Sequence, residues 1–210
     1  MKNPLPRLRG RTGGGSFPPL SPPASGRGKK WLHFARAQEG VAYLEFAIAL
    51  PFLLVLFMGA VEVTRYIIVA QKVEKAAVTI SDVVSQSEHI TTGELNVLIS
   101  AVSEVMQPYA FDTDGYAIIT SVTKNVGSAY PTVNWQYKGG GSWVKPSLVG
   151  SPGLVATLPN GLTLNDKDTV IISEVYYNFK PMLANGIIHN MQLYKVAVFK
   201  PRIGDLKTLG

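Results

Sequence analysis

The 210-residue sequence contains no cysteine and only three histidines. Without cysteine the chain can form no disulfide bridge, thiolate metal site or cysteine nucleophile. No two of the histidines have the i, i+4 spacing of a helical metal site. The sequence also lacks the Gly-x-Ser-x-Gly motif that carries the nucleophile of many hydrolases. We therefore predict that this chain is not an enzyme and that it binds no metal and no other cofactor.

Charged residues are also few, at 16% of the chain, and the positive excess lies at one end. Residues 1–40 hold eight basic residues and one acid, whereas residues 41–210 are nearly neutral. The same forty residues are rich in glycine and proline and show no hydrophobic period. This pattern predicts a disordered basic leader on the cytoplasmic side of a membrane. Since residues 41–210 offer no basic patch, we expect no nucleic-acid partner.

One long apolar run follows the leader. Residues 41–61 contain a single charge, Glu45, and as a helix they would extend about 30 Å, the thickness of a hydrocarbon core. Pro51 lies in the middle of this run and predicts a local kink. With the basic leader before it, the run predicts a single-pass inner-membrane protein, whose residues 62–210 form an extracytoplasmic domain.

The remaining sequence changes from helical to strand periodicity. The first helix is predicted to continue through residues 62–88 as an amphipathic segment, followed by a second helix capped by Thr91 and Glu94 and ended by Pro108. Four β-rich segments then follow, with residues 138–166 predicted as a long loop. They are residues 116–124, 132–137, 169–179 and 192–199. The predicted class is α+β: a long N-terminal helix, transmembrane then amphipathic, packed on a small antiparallel sheet with a second short helix.

The junction between the leader and the apolar run carries an acid at a position where insertion into lipid is unfavourable. A carboxylate inside lipid costs roughly 2.5–3.5 kcal/mol, so Glu45 is a candidate functional residue. Cleavage between Gly40 and Val41 would create an ammonium group one helical turn before Glu45, close enough to pair within a chain or between neighbours. The alternative is that the membrane helix starts a turn later and leaves Glu45 at the headgroup boundary, where the helix dipole favours an acid.

A glycine followed by a glutamate five residues later, ahead of an apolar helix, resembles the processing site of type IV prepilins and pseudopilins. The wider stretch is similar to the TadE-like family of the tight-adherence (Tad/Flp) pilus systems. The N-terminal residues that carry this resemblance are Gly40, Glu45-Phe46-Ala47, Leu50-Pro51, Gly59, Val61-Glu62, Arg65 and Ala76-Ala77. A second patch resembles the C-terminal strands of the family: Val175-Tyr176-Tyr177, Pro181-Met182-Leu183 and residues 197–202.

The resemblance implies a minor pilin-like subunit of a pilus or secretion machine. A prepilin peptidase, an inner-membrane aspartyl protease, would cut between Gly40 and Val41. Glu45 would then neutralise the new N-terminal amine of a neighbouring subunit during assembly. The implied partners are other pilins and minor pilins, the inner-membrane assembly platform and the membrane itself, with incorporation into a surface pilus. Four further positions are candidate helix contacts: Phe46, Pro51, Glu62 and Arg65.

A second function fits the same membrane anchor. The chain could be an unprocessed, signal-anchored periplasmic binding or scaffold protein that keeps its leader. In that case Trp135, Tyr137 and Trp143 would form a ligand surface around the glycine-rich loop. An intact or a cleaved N-terminus distinguishes the two functions.

Overall fold

The computed structural model describes residues 38–182 and 189–210, so the predicted leader lies outside the described residues except for its last three. Within these residues three α-helices come first: α1 Gln38–Ser85, α2 Thr92–Met106 and the single turn α3 Phe111–Asp114. Four strands follow: β1 Gly115–Thr123, β2 Thr132–Gly140, β3 Thr169–Phe179 and β4 Met191–Phe199. The strands form one antiparallel sheet in the order β2-β1-β3-β4. The predicted α+β class is confirmed.

The chain divides into two compact units, Met1–Pro51 and Phe52–Gly210. Of the first unit the structure describes residues 38–51, which are helical and exposed from Gly40 onward. The second unit contains the rest of α1, both shorter helices and the sheet. Helix α1 is long and apolar enough, by length and composition, to cross a membrane.

The amphipathic part of α1 packs on one face of the sheet. Its buried stripe follows the helical period and consists of Val69, Val73, Ala76, Ala77, Ile80 and Val84. The helix ends at Ser85, three residues earlier than predicted. The next two backbone N–H groups donate hydrogen bonds to the carbonyls of Val83 and Val84, three residues back, and so tighten the last turn. Helix α2 packs beside α1 and begins with the predicted capping box between Thr91 and Glu94. It ends at Met106, just before Pro108.

The sheet is buried on both faces, which explains why every residue of β1 is buried. The helices cover one face. The segment between β2 and β3, residues 141–168, covers the other and is called the covering segment below. On that second face Val149 and Ala156 from the long segment pack with Val122, Val170 and Ile172 of the sheet. The segment predicted as a loop over residues 138–166 therefore begins later, because β2 extends to Gly140, and it forms a third layer.

The three consecutive glycines after Lys138 allow backbone to pack closely where β2 ends. A Cβ at Gly139 would meet the Ile99 side chain at 2.6 Å, and one at Gly141 would meet the Asp112 carbonyl oxygen at 2.5 Å. Gly140 has a φ of 109°, a conformation that side chains rarely adopt. The run thus forms the end of β2 and the start of the covering segment.

Candidate membrane-anchoring and assembly site

The residues around the predicted cleavage site lie on the first turns of α1. A Cβ placed on Gly40 would meet no atom of the described residues within 4 Å beyond its own helix backbone and chain neighbours. Val41 is 56% exposed. Packing among the described residues therefore gives no reason for a glycine at position 40.

The acid and its neighbours in the apolar run are exposed as well. Glu45, Phe46 and Pro51 all lie on the surface of α1, and Phe46 is 59% exposed. Every residue from 40 to 60 is in fact exposed, although most of them are large and apolar. A surface of this kind requires lipid or a protein neighbour to cover it.

The apolar run ends at a buried carboxylate. Glu62 is only 7% exposed, and its Oε1 lies 3.0 Å from Arg65 Nη1. The same oxygen accepts a hydrogen bond of 3.1 Å from the backbone N–H of Met182, just after β3. One turn further on, Tyr66 packs edge-on against Phe179 with ring centroids 5.5 Å apart. Glu62 thus connects the first turn after the predicted span to the end of β3.

Replacing Glu62 should separate its two roles. Glu62→Gln keeps an oxygen for the Met182 N–H and loses the charge opposite Arg65, so we expect it to lower the free energy of unfolding by less than about 1 kcal/mol. Glu62→Leu removes the acceptor as well, and we expect a loss of about 1–2 kcal/mol. Thermal unfolding of the full chain in detergent micelles measures both, with Glu104→Leu as an exposed control. Equal stability of Glu62→Gln and Glu62→Leu would contradict the role assigned to the acceptor oxygen.

Small residues allow α1 to approach β3 closely. Ala76, Ala77 and Ser81 are at most 1% exposed. The Ser173 hydroxyl of β3 donates to the Ala77 carbonyl at 2.5 Å, and the Ser81 hydroxyl donates to Ser173 Oγ at 2.7 Å. The alanine pair and the two serines therefore form a tightly packed part of the helix–sheet interface, where larger side chains would not fit.

A buried carboxylate that sequence reasoning missed lies on the opposite face of the sheet. Glu174 of β3 is fully buried and accepts hydrogen bonds from the Leu148 N–H at 2.8 Å and from the Ser147 hydroxyl. The hydroxyls of Tyr176 and Tyr194 also reach it, at 3.4 and 3.2 Å. Glu174 thus fastens the covering segment to the sheet. The signal available in the sequence was the position of Glu174 as the one charged residue of β3.

The two tyrosines remain hydrogen-bond donors to this carboxylate. Burial raises the pKa of Tyr176 and of Tyr194, and the negative charge of Glu174 raises both pKa values further. Their rings are also in contact, with centroids 4.8 Å apart and planes tilted by 43°. Since both phenols stay protonated well above neutral pH, Glu174 keeps its donors across the physiological range.

Residues 40–79 match the model of the TadE-like protein family. This segment is TadE-like. The matched segment begins at Gly40 and includes Glu45, Glu62, Arg65 and the alanine pair. It covers 40 of the 210 residues, and the predicted C-terminal patch lies outside it. No curated protein and no solved structure matches the chain.

The TadE-like segment agrees with the resemblance identified from the sequence. The family is a structural, pilus-related one rather than an enzyme family. In this chain the segment combines the candidate membrane span with the first part of the helix that packs on the sheet. Its Ala76-Ala77 pair has a direct structural role, because it is where α1 approaches Ser173. These findings together indicate a Tad pilus-related membrane protein.

Trp135, Tyr137 and Trp143, which the alternative function would use as a ligand surface, do not form one surface in the structure. Trp135 is 6% exposed and donates its indole N–H to the Leu206 carbonyl at 2.8 Å. Trp135 and Tyr137 belong to the helix-covered face, whereas Trp143 packs on the opposite face near Tyr176. The three rings therefore serve packing on two separate faces.

The acids before β1 are also structural. Asp114 pairs with Lys180 Nζ at 2.6 Å, and Asp112 contributes its carbonyl to the close contact at Gly141. Among residues 38–182 and 189–210 there is no cluster of three or more His, Asp or Glu side chains that could hold a metal ion.

Proposed function

We propose that this chain is a membrane-anchored, pilin-like assembly protein of a Tad/Flp type IV pilus. Residues 1–40 form its cytoplasmic leader, residues 41–61 span the inner membrane and residues 62–210 form the extracytoplasmic domain. A prepilin peptidase removes the leader after Gly40. The observation that carries this proposal is the TadE-like match over residues 40–79, which begins at the proposed cleavage site.

Two structural features support the processing step. A side chain at Gly40 would find open space among the described residues, so the glycine is better explained by recognition than by packing. Val41 and Glu45 lie one turn apart on an exposed helix. Cleavage would place the new ammonium at Val41, four residues before the carboxylate of Glu45.

The exposed apolar surface of α1 supports the assembly role. A processed helix of this kind can lie in lipid, or it can pack against equivalent helices of other pilins in a bundle. Phe46 and Pro51 are exposed and available for such contacts. Glu62 and Arg65 are instead engaged within the chain, so we propose that they orient the domain at the base of the helix. The other pilins, minor pilins and the assembly platform are the proposed partners.

The mature N-terminus tests the proposal. The full chain is expressed in a host with a prepilin peptidase, and the N-terminal residue of the membrane-bound form is determined by mass spectrometry. We expect the wild type to begin at Val41 and Gly40→Val to retain the leader. Gly59→Val is the matched control, because it is the same substitution at a helical glycine with equally open surroundings. We expect this control to be cleaved normally.

The outcomes separate the two functions considered. If the wild type keeps residues 1–40 in a host whose peptidase cleaves its own prepilins, the pseudopilin mechanism is wrong. The chain would then be an unprocessed, signal-anchored protein with an extracytoplasmic binding or scaffold domain. Cleavage of Gly40→Val at the same bond would show that another protease acts at this site.

A further inference from the structure

The corner that follows β3, residues 180–182, lies beside the first helical turn after the predicted span. The backbone N–H of Met182 donates to Glu62 Oε1 at 3.1 Å, and Glu62 is the residue directly after the span. Side chains on a helix lean toward its N-terminus, and here the N-terminal direction leads into the membrane. The Glu62 carboxylate, and Met182 with it, is therefore held at the level where the apolar run ends.

This level corresponds to the headgroup layer. A bilayer is about 40–45 Å thick in total and has a hydrocarbon core of about 30 Å, which leaves several ångströms of headgroup layer on each side. Residues 41–61 already fill the core. A residue hydrogen-bonded to position 62 thus lies within the adjoining layer.

The side chain exposed at this level is apolar. Met182 is 63% exposed, whereas Pro181 before it is buried. The corner is rigidly supported, because Phe179 is 1% exposed and packs against Tyr66 of α1. The structure therefore holds a flexible, apolar side chain outward at the depth of the lipid headgroups.

We propose that Met182 inserts into the membrane surface and gives the extracytoplasmic domain a second contact with the bilayer. This inference rests on the proposed function in one respect, the membrane span at residues 41–61. Two fixed contacts, the span and Met182, restrict rotation and tilt of the domain relative to the membrane. The domain is then presented to its assembly partners in one orientation.

The charges near Met182 identify the kind of lipid contact. The cations Arg65 and Lys180 are paired with Glu62 and Asp114, at 3.0 and 2.6 Å respectively. These two pairs carry no net charge, so attraction to anionic lipid contributes little. Insertion of Met182 should therefore be driven by its apolar surface and should occur equally in zwitterionic and anionic membranes at any salt concentration.

The absence of native cysteine makes a direct depth measurement possible. Three single-cysteine variants of the full chain are spin-labelled and reconstituted into phosphatidylcholine nanodiscs: Phe57→Cys, Met182→Cys and Val126→Cys. The three native side chains have matched exposures of 68%, 63% and 66%. Val126 lies in the turn after β1, about 30 Å along the strand from its membrane-proximal end. Collisions with oxygen and with a water-soluble nickel complex report the depth of each label.

We expect the oxygen-to-nickel accessibility ratio to be highest at position 57, and several-fold higher at position 182 than at position 126. The ratio at position 182 should be unchanged in nanodiscs with anionic lipid. Equal ratios at positions 182 and 126 with a lipid-like value at 57 would overturn the Met182 contact and leave the span intact. Protection of position 182 from both reagents would assign a protein neighbour instead and would also overturn it. A water-like value at 57 would overturn the span itself.

Discussion

Replacing Glu174 with leucine is expected to lower the free energy of unfolding by about 3 kcal/mol or more. The substitution leaves the partly buried Leu148 N–H and Ser147 hydroxyl without the acceptor that Glu174 supplies. The Tyr194 hydroxyl loses its acceptor too, whereas the Tyr176 hydroxyl keeps the Pro146 carbonyl at 3.0 Å. Each buried donor without a partner costs about 1–3 kcal/mol. For a chain of this size the melting temperature should fall by roughly 6–12 °C.

Two comparison variants make the Glu174 result specific. Glu174→Gln keeps the shape and one acceptor oxygen, so its loss should be smaller. Glu74→Leu removes an acid on α1 whose side chain is 61% exposed and whose partner is Lys195, and it should cost at most about 1 kcal/mol. Thermal unfolding in detergent micelles measures all three.

The covering segment gives a second readout of the same variant. Trp143 lies in the covering segment and packs near Tyr176. Release of the segment from the sheet should therefore make the peptide bond after Trp143 accessible to chymotrypsin. We expect Glu174→Leu to be cut there faster than the wild type under native conditions, and Glu74→Leu to be cut at the wild-type rate. A stable Glu174→Leu variant with wild-type resistance would show that the carboxylate does not hold the segment.

Enlarging Ala77 should produce the second large effect, a loss of about 2–3 kcal/mol in the free energy of unfolding for Ala77→Leu. Ala77 is 1% exposed, and its carbonyl accepts the hydrogen bond from Ser173 in the middle of β3. Three additional carbon atoms at this position have no space unless the helix moves away from the strand. Such a movement would also lengthen the hydrogen bond between Ser81 and Ser173.

The adjacent helix position provides the control for Ala77. Val78 is 42% exposed, so Val78→Leu adds volume to the same helix without entering the interface, and we expect a change within about 0.5 kcal/mol. Thermal unfolding compares the two variants. If they were equally stable, the interface would be loose enough to accept a large side chain, and the small residues of the TadE-like segment would need another explanation.

The sequence was sufficient for the parts of the fold that depend on local patterns. The apolar run, the capping box at Thr91 and the four strand segments all depend on neighbouring residues, and the structure confirms each of them. Boundaries were less accurate. The end of α1 at Ser85 and the extension of β2 to Gly140 depend on turns and strand pairings that local periodicity does not encode.

The candidate site divides in the same way. Glycine and acid spacing at the start of an apolar helix was enough to indicate the TadE-like segment, which the family match confirms over residues 40–79. The predicted cleavage at Gly40 and the role of Glu45 stay predictions. By contrast, the sequence could not show that Glu62 meets the Met182 N–H, because the two residues are 120 positions apart.

The sequence by itself therefore determined the membrane-type helix, the α+β class and the resemblance to pilus proteins, because each depends on composition and short-range spacing. Only the tertiary structure decided which acids are buried, which face each aromatic ring occupies and that the segment after β2 covers the sheet. The physical reason is that burial of Glu174 requires donors from three separate parts of the chain. Only the folded arrangement brings the Ser147 and Leu148 donors, Tyr176 and Tyr194 together around that carboxylate.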